Sequence, residues 1–327
     1  MLTAPPEKIG RFEAHATPDG SVVYKEQRGD NHYYHAEIKP SRTAKGGYSY
    51  VKGTTLTGVS SVSKFLDGDP TRLMHWSAKM DQSGIARIIA GQIERGETGL
   101  DDINWLATPD GVANRLREKE ATWEHERDRR ADQGTNVHHY TVWRLATGQD
   151  ADLADLSEVE RGFGQGVFAS FLKLGLLDRV VYAEQLTVSH ANRIAGTFDV
   201  LAEDVEIEAV MDHLINPDAV PAEVVEKGLV RLLADYKTRD AAGKVRKSDH
   251  VQLQGYEDCN RSCGIGDTDG QVVIVVLPDG TFEPYWCEAT PGSWAAAVNA
   301  CRSGKPLDSR MAALSKRAKA AREAVVA

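Results

Sequence analysis

The sequence predicts an α/β protein: a small mixed β-sheet flanked by helices, preceded by a mostly helical N-terminal region. Three observations carry this. Short alternating or apolar runs bounded by turn residues recur from Val180 to Glu288, the pattern of a sheet. Stretches with helical spacing and capping residues dominate from Thr57 to Leu174. The run Val230 to Thr238, VRLLADYKT, ends a buried-looking strand in two opposite charges, Asp235 and Lys237. Residues two apart on a strand share a face, so these two project side by side.

Composition sets the bounds. The 327 residues suffice for one large or two modest domains with a sizeable core. Hydrophobic residues at 41% and charged residues at 27% fit a soluble globular chain and argue against global disorder. No apolar run approaches the ~20 residues of a membrane span. The start, MLTAPPEKIG, lacks the basic and apolar regions of a signal peptide, so an intracellular, cytoplasmic protein is expected. Cys259, Cys263, Cys287 and Cys301 form no CxxC pair, which argues against a zinc ribbon and for reduced thiols. The net charge of −9 gives no overall basic footprint for nucleic acid. A site for divalent cations, however, needs acidic residues.

In chain order, Phe12 to Gln27 reads as a hairpin about Pro18-Asp19-Gly20, with short strands at Tyr33 to Ile38 and Tyr48 to Val51. The basic residues between them, Lys39, Arg42 and Lys45, read as a solvated loop. In TGVSSVSKFL, Ser60 and Ser61 are candidate helix caps, and with Lys64 they form a candidate phosphate contact. Helices are expected over Thr71 to Met80 and Ser83 to Arg95. Thr108-Pro109-Asp110 starts another, whose interspersed charges, REKEATWEHERDRRAD, suit a solvated face. Gly134 is expected to break it. A second helix, Thr135 to Ala146, then carries His138 and His139.

Leu156 to Leu174 reads as a helix capped by Ser157. Its glycines, Gly162, Gly164 and Gly166, suit close packing; no strand precedes them and no GK[ST] follows, so a phosphate loop is rejected. Strands follow at Val180 to Val188, Arg193 to Glu203 and Val230 to Thr238, the last two separated by an insertion with one or two short helices. Ser248 is expected to cap a helix to about Cys263. A final hairpin turns about Pro278-Asp279-Gly280, with Pro284 marking an edge strand. The tail from Arg310 reads as a basic helix whose apolar face suits docking on the body.

The chemistry converges on two strands. Asp199, in AGTFDVLAE, sits within an apolar run, and Asp235 and Lys237 end the next strand. If the strands are neighbours, two carboxylates and an ammonium share a face. Like charges that close repel unless a cation lies between them, and a divalent metal held by oxygens resolves the conflict. An Asp–Lys ion pair would match only one carboxylate. His138 adds an imidazole, and an Asp–Asp–His set suits Mg²⁺ or Mn²⁺. Glu184, on the alternation of its strand, is open between a direct metal ligand, a partner to one, and an ordinary edge-strand acid. Gln252 and Tyr256, four apart on a helix, share a face that would meet a nucleotide or steady Lys237.

The series G-T-N-V-H (Gly134 to His138), G-T-F-D (Gly196 to Asp199), D-Y-K-T (Asp235 to Thr238) and Q-L-Q-G-Y (Gln252 to Tyr256) resembles the PD-(D/E)XK nuclease superfamily, and within it the RecB-like exonuclease branch with its stand-alone phage-type members. The likeness covers about Gly134 to Leu277. It implies a restriction-endonuclease-like core and a Mg²⁺- or Mn²⁺-dependent deoxyribonuclease, using one or two ions. His138, Asp199, Asp235 and the Tyr236 backbone carbonyl would be metal ligands. Lys237 would orient the attacking water and offset phosphate charge, and Gln252 and Tyr256 would complete the last motif.

The implied substrate is DNA, as single- or double-stranded ends, in phage or bacterial recombination, replication or repair. A single-strand annealing or recombination protein is the implied partner, and the host cytoplasm the implied location. A structure-specific or restriction-like endonuclease and a catalytically silent DNA-binding protein are the alternatives. The expected organisation is a β-rich segment over 1–56, a helical region over 57–133, the nuclease core over 134–290 with an insertion at 204–229, and a basic helical tail over 291–327. The chain departs from family members with an iron–sulfur cluster, which place one cysteine before the core; here none precedes Cys259, so no cluster is expected.

Overall fold

The computed structural model describes residues 6–28, 31–41, 43–44, 47–63, 70–148, 156–243 and 245–303. Lys64 and the tail from Arg310 lie outside them. The first strands are β1 (Glu7–Ile9), β2 (Phe12–Ala16), β3 (Val22–Arg28), β4 (Asn31–His35), β5 (Ile38–Pro40), β6 (Tyr48–Tyr50) and β7 (Thr55–Gly58). Helices α1 (Val59–Ser63), α2 (Pro70–Glu94), α3 (Leu100–Ile103), α4 (Pro109–Glu118), α5 (Trp123–Thr147) and α6 (Glu158–Lys173) follow. Then come β8 (Val180–Ser189), β9 (Ile194–Glu206), α7 (Ile207–Met211), α8 (Ala222–Val225), β10 (Leu229–Thr238), α9 (Lys247–Ser262), β11 (Gly270–Val276) and β12 (Phe282–Trp286). A last helix covers 291–303.

The chain divides into two compact units, Gly68–Val137 and the remainder. In the smaller unit, α4 starts as its sequence dictates. Thr108 Oγ1 accepts the Gly111 amide at 3.0 Å and Pro109 takes the first position. Ile88, Leu116 and Ala121 form its core. Two expected breaks are absent. α2 is one helix rather than two, and α5 runs through Gly134. A single glycine costs a helix only about 1 kcal/mol, which 25 residues of continuous helix absorb. The actual break comes earlier, at Glu120, whose φ is +48°. Thr122 then starts α5, its carbonyl accepting the Glu126 amide at 3.1 Å.

The larger unit is a mixed α/β body built on a ten-stranded, mostly antiparallel sheet flanked by helices. The sheet is larger than the sequence suggested because β7 pairs in parallel with β9 and brings β4, β3, β2 and β1 with it. Such a pairing joins residues far apart in sequence and leaves no local signature. β10 and β11 also pair in parallel; β11 and β12 pair antiparallel, with β12 at the edge as Pro284 requires.

The ladder of β9 has a feature that makes the site. β8 pairs along it from Ile194 to Ala202. β7 pairs at Ile194 and Ala195, and β10 from Val200 to Glu206. Since β8 holds one side at both levels, β7 and β10 share the other side and part between Gly196 and Asp199. Val59 and Tyr256 fill this opening so closely that a Cβ on Gly196 would lie 2.8 Å from both. Phe198, Leu201, Leu233, Leu253 and Trp294 continue the core under α9.

On α6, Ser157 caps the helix and pairs reciprocally with Glu160. Gly162 meets the Pro278 carbonyl and Gly166 meets Val276, with no room for a Cβ at either. Close packing therefore accounts for these glycines. The insertion between β9 and β10 crosses to the far edge of the sheet. There Ile215 donates its amide to the Pro284 carbonyl at 2.9 Å. Asn216 accepts the Trp286 amide at 2.7 Å and donates to its carbonyl at 3.1 Å, standing in for a strand. The edge is thereby covered against pairing with another chain. No helix among the described residues is long and apolar enough to cross a membrane.

Candidate metal centre

Four elements bring their charged groups to the level of Asp199 on β9. His138 comes from α5, Glu184 from β8, Asp199 from β9, and Asp235 with Lys237 from β10. His138 Nδ1 lies 2.5 Å from Glu184 Oε1 and 3.6 Å from Asp199 Oδ1. Ligand atoms of these three residues all fall within 4.8 Å of one another. The His138 and Glu184 side chains are 31% and 25% exposed, so the cluster is reachable from solvent.

The registers explain the convergence. Ala183 pairs with Val200 and Gln185 with Phe198, which sets Glu184 opposite Asp199. Across the other side, the last β9–β10 pair is Ala234 with Val200, leaving Asp235 and Asp199 one step beyond. Three carboxylates thus occupy one level of three adjacent strands. Glu184 holds a left-handed backbone, φ +49°, inside its strand. That conformation costs of order 1–3 kcal/mol for a side-chain-bearing residue and clusters at functional sites.

Tyr236 ties the level together. Its amide donates to Asp199 Oδ2 at 2.9 Å, its hydroxyl donates to Glu184 Oε1 at 3.4 Å, and its ring stacks on His138 with centroids 4.5 Å apart. Lys237 Nζ forms an ion pair with Asp235 Oδ2 at 2.6 Å, and Asp235 Oδ1 has no hydrogen-bond partner among the described residues. Asp235 itself is fully buried.

The charges are strained accordingly. Burial, then the neighbouring Asp235, holds the Asp199 carboxyl well above the usual carboxylate range. Burial also raises Asp235, against the pull of Lys237. Burial opposes charge on His138, but Asp199 and Glu184 outweigh it and raise its pKa to about 9. Burial likewise opposes the Lys237 ammonium, and Asp235 and Asp199 raise its pKa in spite of it. The carboxylates of the cluster thus favour the protonated forms of the two nitrogen bases that face them, His138 and Lys237.

These residues fit a divalent cation. The donor set is oxygens with one imidazole, the chemistry of Mg²⁺ and Mn²⁺ sites. The buried Asp235 Oδ1, without a hydrogen-bond partner among the described residues, is the orphan such an ion would satisfy. Of the sequence candidates, His138, Asp199 and Glu184, the last left open by the sequence, form the tight group, while Asp235 stands next to it and is held by Lys237.

On α9, Gln252 Nε2 donates to the Tyr256 hydroxyl at 2.6 Å, and the Tyr256 ring meets Phe198 edge-on. Asp199 and Asp235 are both close enough to raise the Tyr256 pKa further, although burial is the larger cause. Ser60 and Ser61 are placed differently from expectation. Both lie inside the five-residue α1 and are exposed, so neither caps it. Ser248 likewise lies within α9; Asp249 takes the capping role, accepting the Arg246 amide at 3.0 Å. Asp249 was not a sequence candidate. Its signal was an acid in a first helical turn, a common pattern that does not distinguish a cap from a site residue.

The chain matches no protein-family model, and no curated protein matches it.

Proposed function

We propose that the chain is a divalent-metal-dependent deoxyribonuclease of the PD-(D/E)XK type, with a restriction-endonuclease-like core over β8 to β11 and a preference for DNA ends. The observation that carries the reading is Glu184, Asp199 and Asp235 at one level of the sheet, with His138 and Lys237 at hand.

His138, Glu184, Asp199 and Asp235 would hold Mg²⁺ or Mn²⁺. Such an ion supplies Lewis acidity, making water a better nucleophile near neutral pH and offsetting charge on the phosphate. Lys237, beside Asp235, would serve as a cation for the phosphate and would orient the attacking water. Tyr236 fixes Asp199 through its amide, and Tyr256, braced by Gln252, walls the site from α9. Action on ends, rather than within a strand, rests on the resemblance to RecB-like exonucleases, as do a role in phage or bacterial recombination or repair, a recombination partner, and a host-cytoplasmic location.

The test is digestion of end-labelled single- and double-stranded DNA, linear and closed-circular, with Mg²⁺ or Mn²⁺. Linear DNA is expected to shorten from its ends, while Asp235→Asn and Lys237→Ala stay folded and inactive. Rapid nicking of closed circles would replace the exonuclease by an endonuclease. Absence of cleavage with either metal would remove the nuclease.

A further inference from the structure

The smaller unit holds a cavity of about 290 Å³ that shares no residue with the metal centre. Ligand pockets run from roughly 300 to 1,000 Å³, so this one suits a single functional group rather than a whole cofactor. Ile88 and Ala121, both buried, give it an apolar lining. Its other walls are charged: Arg87, Arg95, Lys119 and Glu120, all exposed.

Helical spacing sets the wall from α2. Arg87, Gly91 and Arg95 recur four apart on one face, and the Arg95 amide still bonds the Gly91 carbonyl at 3.3 Å. Gly91 has no side chain, so the space between the two guanidiniums is open. Glu97 grips Arg95 in a fork, at Nε (2.8 Å) and Nη2 (2.9 Å). The remaining nitrogen, Nη1, is the one nearest Gly91, where an added Cβ would lie 3.3 Å from it. The side chains of Arg87 and Lys119 have no hydrogen-bond or ion-pair partner among the described residues.

The end of α4 sets the opposite wall. The Glu120 and Ala121 amides donate to the Arg117 and Leu116 carbonyls at 3.1 and 2.8 Å, the paired bonds that close a helix through a left-handed residue. That residue is Glu120, at a position where glycine carries no steric cost. The turn lies so close to α2 that the Ala121 carbonyl leaves no room for a Cβ on Gly84. Lys119 and Glu120 are thereby carried to the arginine face. Three cations converge on one small cavity, and among the described residues Glu120 is the one acid in its wall. Donors from three directions call for an anion with more than the two oxygens of a carboxylate. A phosphate offers at least three, each a strong acceptor for a guanidinium or ammonium.

We propose that this cavity binds a phosphate group, with Arg87, Arg95 Nη1 and Lys119 as its donors and Glu120 as the acid that restrains binding. Free phosphate and a nucleic-acid backbone present the same chemistry to it.

The experiment titrates the full chain, in chelator and at constant ionic strength, with inorganic phosphate by calorimetry and with a short single-stranded oligodeoxynucleotide by fluorescence anisotropy. It compares wild type with Arg87→Ala, Lys119→Ala, Glu120→Gly and, as a control for overall charge, Lys173→Ala on α6. Phosphate should bind saturably at one equivalent. Arg87→Ala and Lys119→Ala should each weaken it about tenfold, the loss of one charge-assisted hydrogen bond. Glu120→Gly should strengthen it roughly two- to fivefold, as removal of one exposed like charge allows, without lowering the thermal midpoint. If the oligonucleotide weakens in parallel and phosphate displaces it, the group is a backbone phosphate. If its binding is unmoved by the variants, the group is a free phosphate. No saturable phosphate binding, or an equal loss in Lys173→Ala, overturns the site.

Discussion

Glu184 and Asp199 face each other across adjacent antiparallel strands, and Glu184 does so from a left-handed backbone that its neighbours in β8 do not share. The same residue bonds His138 and Tyr236. Strain and charge are therefore concentrated in one residue of the candidate centre, as expected where a fold serves a ligand rather than its own stability.

Replacing that residue should separate the two demands. Glu184→Gly removes both the backbone strain and the carboxylate. The metal-free protein should gain about 1 kcal/mol of stability, since glycine adopts positive φ without steric cost. Mn²⁺ binding should weaken by at least an order of magnitude. Calorimetry with and without Mn²⁺ reads both effects; a less stable variant with unchanged affinity would make Glu184 structural.

Asp199→Asn makes a related trade at the centre of β9. The asparagine oxygen can still accept the Tyr236 amide, so the local geometry is preserved. What disappears is a buried negative charge beside Asp235, whose environment opposes ionisation. In chelator the thermal midpoint should rise, by roughly 2–4 °C for each kcal/mol recovered. Added Mn²⁺ should raise the wild-type midpoint and leave this variant unmoved. A midpoint lowered in chelator would mean that the carboxylate pairs with His138 more strongly than it repels Asp235.

Much of this half of the molecule was readable in advance. Alternation, turn residues and Pro284 define β8 to β12, and Ser157 and the glycines define α6. Asp199, Asp235 and His138 stood out because charged or ligating groups interrupted apolar or helical patterns. Two features were not readable, each for a physical reason, and a third was readable only in part. The β7–β9 pairing is parallel and remote in sequence, so no turn announces it. Gly134 suggested a break because local propensity ignores the rest of a long helix. Glu184 was already a candidate on the alternation of its strand; what periodicity does not encode is its left-handed backbone.

The metal-free site should also impose a pH dependence. His138 has a folded pKa of about 9 against an ordinary 6.5, so the folded state binds its proton more tightly. Its contribution to stability is complete below pH 6.5 and is lost as pH rises through about 9. Asp199 acts with the same sign, since its raised pKa also favours the protonated folded state. In chelator, the thermal midpoint should therefore fall between pH 6.5 and 9, and His138→Gln should flatten that slope. An equally steep slope in the variant would assign the proton elsewhere.

Asn216 tests a different part of the design, the cover over the sheet edge. Its side chain makes both hydrogen bonds that a neighbouring strand would offer Trp286, and a third to Glu288 at 2.9 Å. Asn216→Ala leaves the amide and carbonyl of Trp286 without that partner, at a cost of about 1–3 kcal/mol if they remain dry. It also opens the outer side of β12, where Ile215 supplies only one further backbone bond, to Pro284. An uncovered edge is a template for pairing with a second chain. The variant should therefore unfold at a lower temperature and, by light scattering, self-associate as concentration rises. Destabilisation without self-association would show that Ile215 and the rest of the insertion suffice to block the edge. Wild-type stability would show that water replaces the asparagine without loss.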